Sequence, residues 1–150
     1  MPITKVLARD ATFEINDGTE AVPDWLEIKG VTSLTFNPTK NDADTTDFDS
    51  EGVLEHLPAS RGLAFTMGGF RLEDRDTGDR DPGQAAVEAY DALVGPDGLA
   101  SFRITTPAGD VYAFSASVSV TPHGGGNDDP AAWSVTITRS GPTTYTPAGT

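Results

Sequence analysis

From Tyr112 to Val120 every second residue is apolar: Tyr112, Phe114, Ala116, Val118 and Val120. A period of two puts these side chains on one face of an extended chain and cannot form the stripe of an amphipathic helix. The pattern recurs on both sides. Phe102 and Ile104 precede it across the turn Pro107-Ala108-Gly109-Asp110. Trp133, Val135 and Ile137 follow it across the loop PHGGGNDDPA. Three strands in succession, each with one apolar face, commit this half of the chain to β-sheet.

The N-terminal half continues the theme. A strand is predicted over about Lys5 to Ile15, with Ala11, Phe13 and Ile15 on one face, ending at the turn signal Asn16-Asp17-Gly18. Another covers about Trp25 to Phe36, where Gly30 breaks the alternation and marks a bulge. A third covers Gly62 to Leu72, with Leu63, Phe65 and Met67 on one side. One helix is signalled at about 82–94. Asp81 is its cap, Pro82 suits the first helical position, and Gln84 stands where a capping-box partner belongs. Ala86, Ala89, Tyr90 and Leu93 form its apolar stripe, and Gly95-Pro96 ends it. The tail SGPTTYTPAGT reads as extended. Six or seven strands and one flanking helix predict a mostly-β fold, a β-sandwich or barrel, as one domain over 1–150. A chain of this length buries roughly 70% of its unfolded surface and needs no staples.

Between Lys40 and Arg61 the segment NDADTTDFDSEGVLEHLPAS has no Lys or Arg and carries Asp42, Asp44, Asp47, Asp49, Glu51 and Glu55. Phe48, Val53, Leu54 and Leu57 interrupt the acid. Its length exceeds the usual hairpin turn of about 2–5 residues, so a long loop is expected at about 41–60. An acidic arm with apolar teeth fits a segment that stays solvated alone and docks on another surface.

The whole chain carries a net charge of −13, which argues against phosphate-backbone binding by clustered Lys and Arg. The absence of cysteine excludes disulfides and thiolate metal sites. No window approaches the 18 or so apolar residues of a membrane span, and MPITKVLARD lacks the apolar run of a signal peptide, so a soluble chain made in the cytoplasm is expected.

Catalytic and ligand-binding patterns are weak. Asp47-x-Asp49-x-Glu51-Gly52 resembles the start of an EF-hand loop, but Pro58 stands where its bidentate Glu belongs. Asp74, Asp76, Asp79 and Asp81, with Arg75 and Arg80 among them, read as a solvated turn. The only histidines are His56 and His123, and no G-x-S-x-G elbow is present. Gly124-Gly125-Gly126 lacks the Gly-Lys-Ser/Thr ending of a phosphate loop. Trp25 and Trp133 fit core or interface positions better than sugar-stacking platforms. No catalytic, cofactor-binding or metal site is therefore expected, and the chain does not read as an enzyme.

What remains is assembly. A β domain has edges that must be paired, covered or blunted, and a ring of subunits removes them by closure. Several motifs bear on this in order: Trp25-x-x-Ile28-x-Gly30-Val31-x-Ser33, Thr45-Thr46-Asp47-Phe48-x-Ser50-x-Gly52-x-x-Glu55-x-Leu57-Pro58-x-x-Arg61-Gly62, and Asp81-Pro82-Gly83-Gln84. They continue with Gly125-Gly126-Asn127, Trp133-Ser134-Val135-Thr136-Ile137 and Ser140-Gly141-Pro142-Thr143. The set resembles the major tail protein, or tail tube protein, of long non-contractile-tailed bacteriophages, over about residues 5–143.

The resemblance implies a β-sandwich-like fold with a flanking helix and homohexameric rings stacked into a virion tail tube, assembled in the host bacterial cytoplasm. DNA passes through such a tube without specific binding, and an acidic lumen would repel it. Tape measure, tail terminator and distal tail proteins are the implied partners, with no membrane and no cofactor. Ring-to-ring contacts are implied at about 1–10, 41–60 and 140–150. Phe48, Val53, Leu54 and Leu57 are the candidate inter-subunit anchors, and Asp42, Asp44, Asp47, Asp49 and Glu51 the candidate charge-lining residues. Two other readings stay open on the sequence: a monomeric calcium- or carbohydrate-binding β-sandwich module, and a capsid decoration protein.

Overall fold

The computed structural model describes residues 3–121 and 124–149. Seven strands form one antiparallel sheet: β1 Thr12–Asn16, β2 Trp25–Glu27, β3 Val31–Asp44, β4 His56–Phe70, β5 Leu99–Thr105, β6 Val111–Val120 and β7 Ala132–Thr146. Their spatial order is β2-β1-β5-β6-β7-β4-β3. One helix, α1, covers Pro82–Asp91.

The sheet is curled. Phe65 on β4 and Phe102 on β5 lie three strand spacings apart, about 14 Å in a flat sheet. Their ring centroids are 6.5 Å apart. Phe114 on β6 closes the group, edge-on to Phe65 at 5.6 Å. The alternating apolar faces therefore turn inward and share one interior, which gives the expected mostly-β, barrel-like form from a single sheet. Ile15, Phe65, Met67, Phe102, Trp133, Val135 and Ile137 fill it, all essentially excluded from solvent. The in-register pairs Phe65↔Ile137, Met67↔Val135 and Phe102↔Phe114 follow from this common face.

Helix α1 packs against β1, β2, β5 and β6. Asp81 caps it as expected, accepting a hydrogen bond from the Gln84 amide at 3.1 Å. Gln84 does not make the reciprocal bond of a capping box. Its buried side chain donates to the Lys29 and Phe70 carbonyls, both at 2.8 Å, and accepts from the Leu72 amide at 3.2 Å. It thereby ties three chain segments together where β2 ends and β4 leaves the sheet. The buried stripe of the helix is Gly83, Gln84, Ala86 and Val87. Ala89 and Leu93 are exposed, and the helix stops at Asp91, short of the expected 94. Gly83 seats the helix against β2, since a Cβ there would collide with the Glu27 carbonyl.

A second polar tie joins helix and sheet. Arg80 donates to Glu88 from its two terminal guanidinium nitrogens, at 2.6 and 3.2 Å, and the Trp133 indole donates to the same carboxylate at 3.2 Å. The Arg80 bond, opposed by partial burial and reinforced by its charge, holds the Glu88 carboxyl below its usual range.

Several boundaries differ from the sequence reading. β1 starts at Thr12, because residues 8–10 form a short 3-10 turn. Gly30, at φ 80°, is a break between β2 and β3 rather than a bulge within one strand. The segment after Arg139 is not a free tail. β7 runs to Thr146, pairing Thr144, Tyr145 and Thr146 with Ala113, Tyr112 and Val111. The register shift between Ala113 and Ser115 accommodates Gly141, at φ 87°, and Pro142.

Candidate assembly surface: a projecting hairpin and an apolar groove

The stretch expected as a long loop is mostly a β-ribbon. Strands β3 and β4 stay paired well beyond the rest of the sheet, through Lys40↔Arg61, Asn41↔Ser60, Asp42↔Pro58, Ala43↔Leu57 and Asp44↔His56. β4 pairs with β7 only from Ala64 to Phe70. Beyond Gly62 the two strands therefore stand alone and reach about 20 Å from the body, at roughly 3.3 Å per residue. The loop proper shrinks to residues 45–55.

That tip is ordered by its own hydrogen bonds. The Thr45 amide donates to the Glu55 carbonyl at 3.0 Å, and the Glu55 amide to the Thr46 hydroxyl at 2.9 Å. Asp47 caps the 3-10 turn Phe48–Ser50, accepting from the Asp49 amide and the Ser50 hydroxyl at 3.1 and 3.0 Å. The Ser50 hydroxyl accepts in turn from the Asp47 amide at 3.1 Å, completing a capping box. Glu51 and Gly52 turn the chain in the left-handed region, at φ 53° and 82°. Asp44 accepts from Thr46, whose hydroxyl first and amide second lower its pKa. Asp47 is thus engaged as a helix cap. Among the described residues no three His, Cys, Asp or Glu side chains gather as metal ligands would. His123 lies outside the described residues.

The backbone of the tip turns its polar groups inward and its apolar side chains out. Phe48 is as exposed as in an extended peptide, at 106%. Val53, Leu54 and Leu57 are exposed at 66%, 74% and 61%. Asp42, Asp44, Asp47, Asp49 and Glu51 lie on the same ribbon and tip, and all five are exposed. All nine sequence-selected residues therefore share one projection and face solvent.

A second feature was not selected from the sequence. At the root of the ribbon the curled sheet leaves an apolar groove of about 880 Å³. Phe13, Leu34, Phe36, Leu63, Ile104 and Phe114 line it, and helix α1 does not reach it. Arg61 and Arg139 are the charged side chains on its wall. The signal was present as apolar alternation at Leu34, Phe36 and Leu63 continuing past the stretch that one helix covers.

The fold is shared with solved structures of tails and tail tubes along nearly the whole chain. The chain matches a subunit from the tail of an empty gene transfer agent particle, reconstructed with C6 symmetry, at a TM-score of 0.70 and 16% identity, covering 95% of this chain and 100% of that one. It matches the SPP1 tail tube at 0.67 and 12% identity, covering 94% of this chain and 78% of that one. A subunit of the six-fold symmetrised anti-feeding prophage baseplate matches at 0.59 and 6% identity, over 99% of this chain and 100% of that one. No protein-family model matches the sequence, and no curated protein matches it. The fold expected from the sequence resemblance is the fold observed.

Proposed function

We propose that this chain is a structural virion protein, the tail tube subunit of a phage-like particle. It assembles into hexameric rings that stack into a conduit for DNA. The observation that carries this reading is the projecting hairpin. Its ordered, acidic tip exposes Phe48, Val53 and Leu54 on a fold shared along nearly the whole chain with subunits of six-fold tails. Exposed apolar side chains grouped on a projection mark a surface that meets a partner.

In this reading the ribbon crosses to an adjacent ring, and each anchor contributes on the order of 1.5–3 kcal/mol on burial. Asp42, Asp44, Asp47, Asp49 and Glu51 keep free subunits apart until a matching surface is met. A net charge of −13 per subunit, repeated around a ring, disfavours adhesion of DNA phosphates to the lumen. The partners are further copies of the chain, with tape measure, terminator and distal tail proteins at the ends of the tube. No catalytic step is assigned.

Negative-stain microscopy of the concentrated protein tests the reading. Hollow tubes or six-fold rings are expected. Monodisperse single subunits at every attainable concentration would refute it.

A further inference from the structure

We infer that the groove at the ribbon root is the socket for the hairpin tip of a second copy of this chain. The inference rests on the assembly reading above and names the surface that receives the prong.

Three observations converge. The first is shape and polarity. The groove is an open, apolar hollow of about 880 Å³ in the body, and the tip offers Phe48, Val53 and Leu54 with no cover of their own. Left in water, both apolar surfaces are unfavourable, and burying one against the other removes that cost.

The second is charge. Residues 41–60 of the tip and its stem carry Asp42, Asp44, Asp47, Asp49, Glu51 and Glu55 and no Lys or Arg. The wall of the groove carries Arg61 and Arg139 and, among the described residues, no carboxylate. In a chain with 23 acids and 10 Lys and Arg, a wall whose charge is all positive is selective for an acidic guest.

The third is the cross-strand pair Lys40↔Arg61 beside the groove. Cross-strand neighbours point to the same face, and like charges there repel. Among the described residues neither makes an ion pair. An acidic tip seated alongside would convert this repulsion into attraction.

A tip cannot fill its own groove, because the ribbon that carries it is a paired, extended strut. Donor and acceptor therefore meet head to tail between copies, a contact that closes into rings or continues as a filament.

Disulfide trapping tests the inference, since the natural chain has no cysteine. Asp49→Cys on the tip is mixed with Thr143→Cys on the groove wall, assembled, oxidised and run on a non-reducing gel. Holding the two thiols in register raises their effective concentration. The mixed dimer should exceed that from Asp49→Cys with Ala92→Cys, at the end of α1, about tenfold. Tubes or rings that form with no such excess overturn the socket while leaving the assembly reading intact. A strong trap between Val6→Cys and Thr143→Cys, with none from Asp49→Cys, overturns it in favour of the N-terminal segment as occupant. A parent chain that forms no assembly at all refutes both. As a second readout, Arg61→Glu with Arg139→Glu should abolish assembly and leave the thermal unfolding of the subunit unchanged. Normal assembly by that variant would also overturn the socket.

Discussion

The body of the molecule and its projecting ribbon use the same residue types in opposite ways. In the body, Phe65, Trp133 and Ile137 are inside a curled sheet and hold it shut. On the ribbon, Phe48, Leu54 and Leu57 are outside and touch little. The body spends polar groups on joining its parts, as Gln84 and Glu88 do. The tip spends them on its own backbone, through Thr46, Asp47 and Ser50. The difference separates two tasks. One set of contacts makes the subunit fold, and the other leaves apolar side chains exposed on a shaped tip, where the proposed assembly would bury them. A tip already ordered loses little entropy on docking.

The sharpest test of the comparison is Phe65→Ala. It removes the ring that meets Phe36, Phe102 and Phe114, and should destabilise the subunit by about 3–5 kcal/mol in denaturant unfolding. Phe48→Ala is the matched change on the ribbon. Subunit stability should move by no more than about 0.5 kcal/mol, as for other surface substitutions. The concentration needed for assembly, followed by light scattering, should rise roughly ten- to a hundredfold, the equivalent of about 1.5–3 kcal/mol. Equal effects of the two changes on folding would dissolve the distinction between body and prong.

The smallest effect concerns pH. Glu88 has its folded pKa lowered by Arg80, so its contribution is complete above the unfolded carboxyl value. It is lost as pH falls from about 4.3 through the folded value. Glu88→Gln should therefore flatten the acid limb of a stability-versus-pH curve and leave the tip's behaviour alone. An unchanged acid limb would show that the pair is solvated rather than structural.

Legibility in the sequence follows the same division. Where one face of a strand is buried, alternation records it, so β5, β6 and the first half of β7 were readable from Phe102, Phe114 and Trp133 and their neighbours. The ribbon has two wet faces. Nothing obliges residues 41–44 and 56–60 to alternate, and Asp42, Asp44 and Pro58 made strand look like loop. The exposure of Phe48 was readable because an apolar residue among acids has no local partner. The second half of β7 was hidden by Gly141 and Pro142, which break the pattern without ending the strand. Gln84 had the right spacing for a cap partner but was recruited by carbonyls that only the folded chain brings close. The groove was invisible for a different reason. A hollow is a property of how seven strands curl, and its lining residues come from six of them and the 3-10 turn before β1.

The long β3–β4 hairpin also has a mechanical meaning. Strand β4 is at once the stem of the prong and an inner strand of the sheet, gripped by β3 on one side and by β7 across the seven pairs from Ala64 to Phe70 on the other. Its ladder bonds run perpendicular to the strand. A pull on the tip therefore loads these bonds in shear, all together, instead of peeling them one at a time. Tension between neighbouring subunits would enter each domain through the geometry in which a β-sheet yields last.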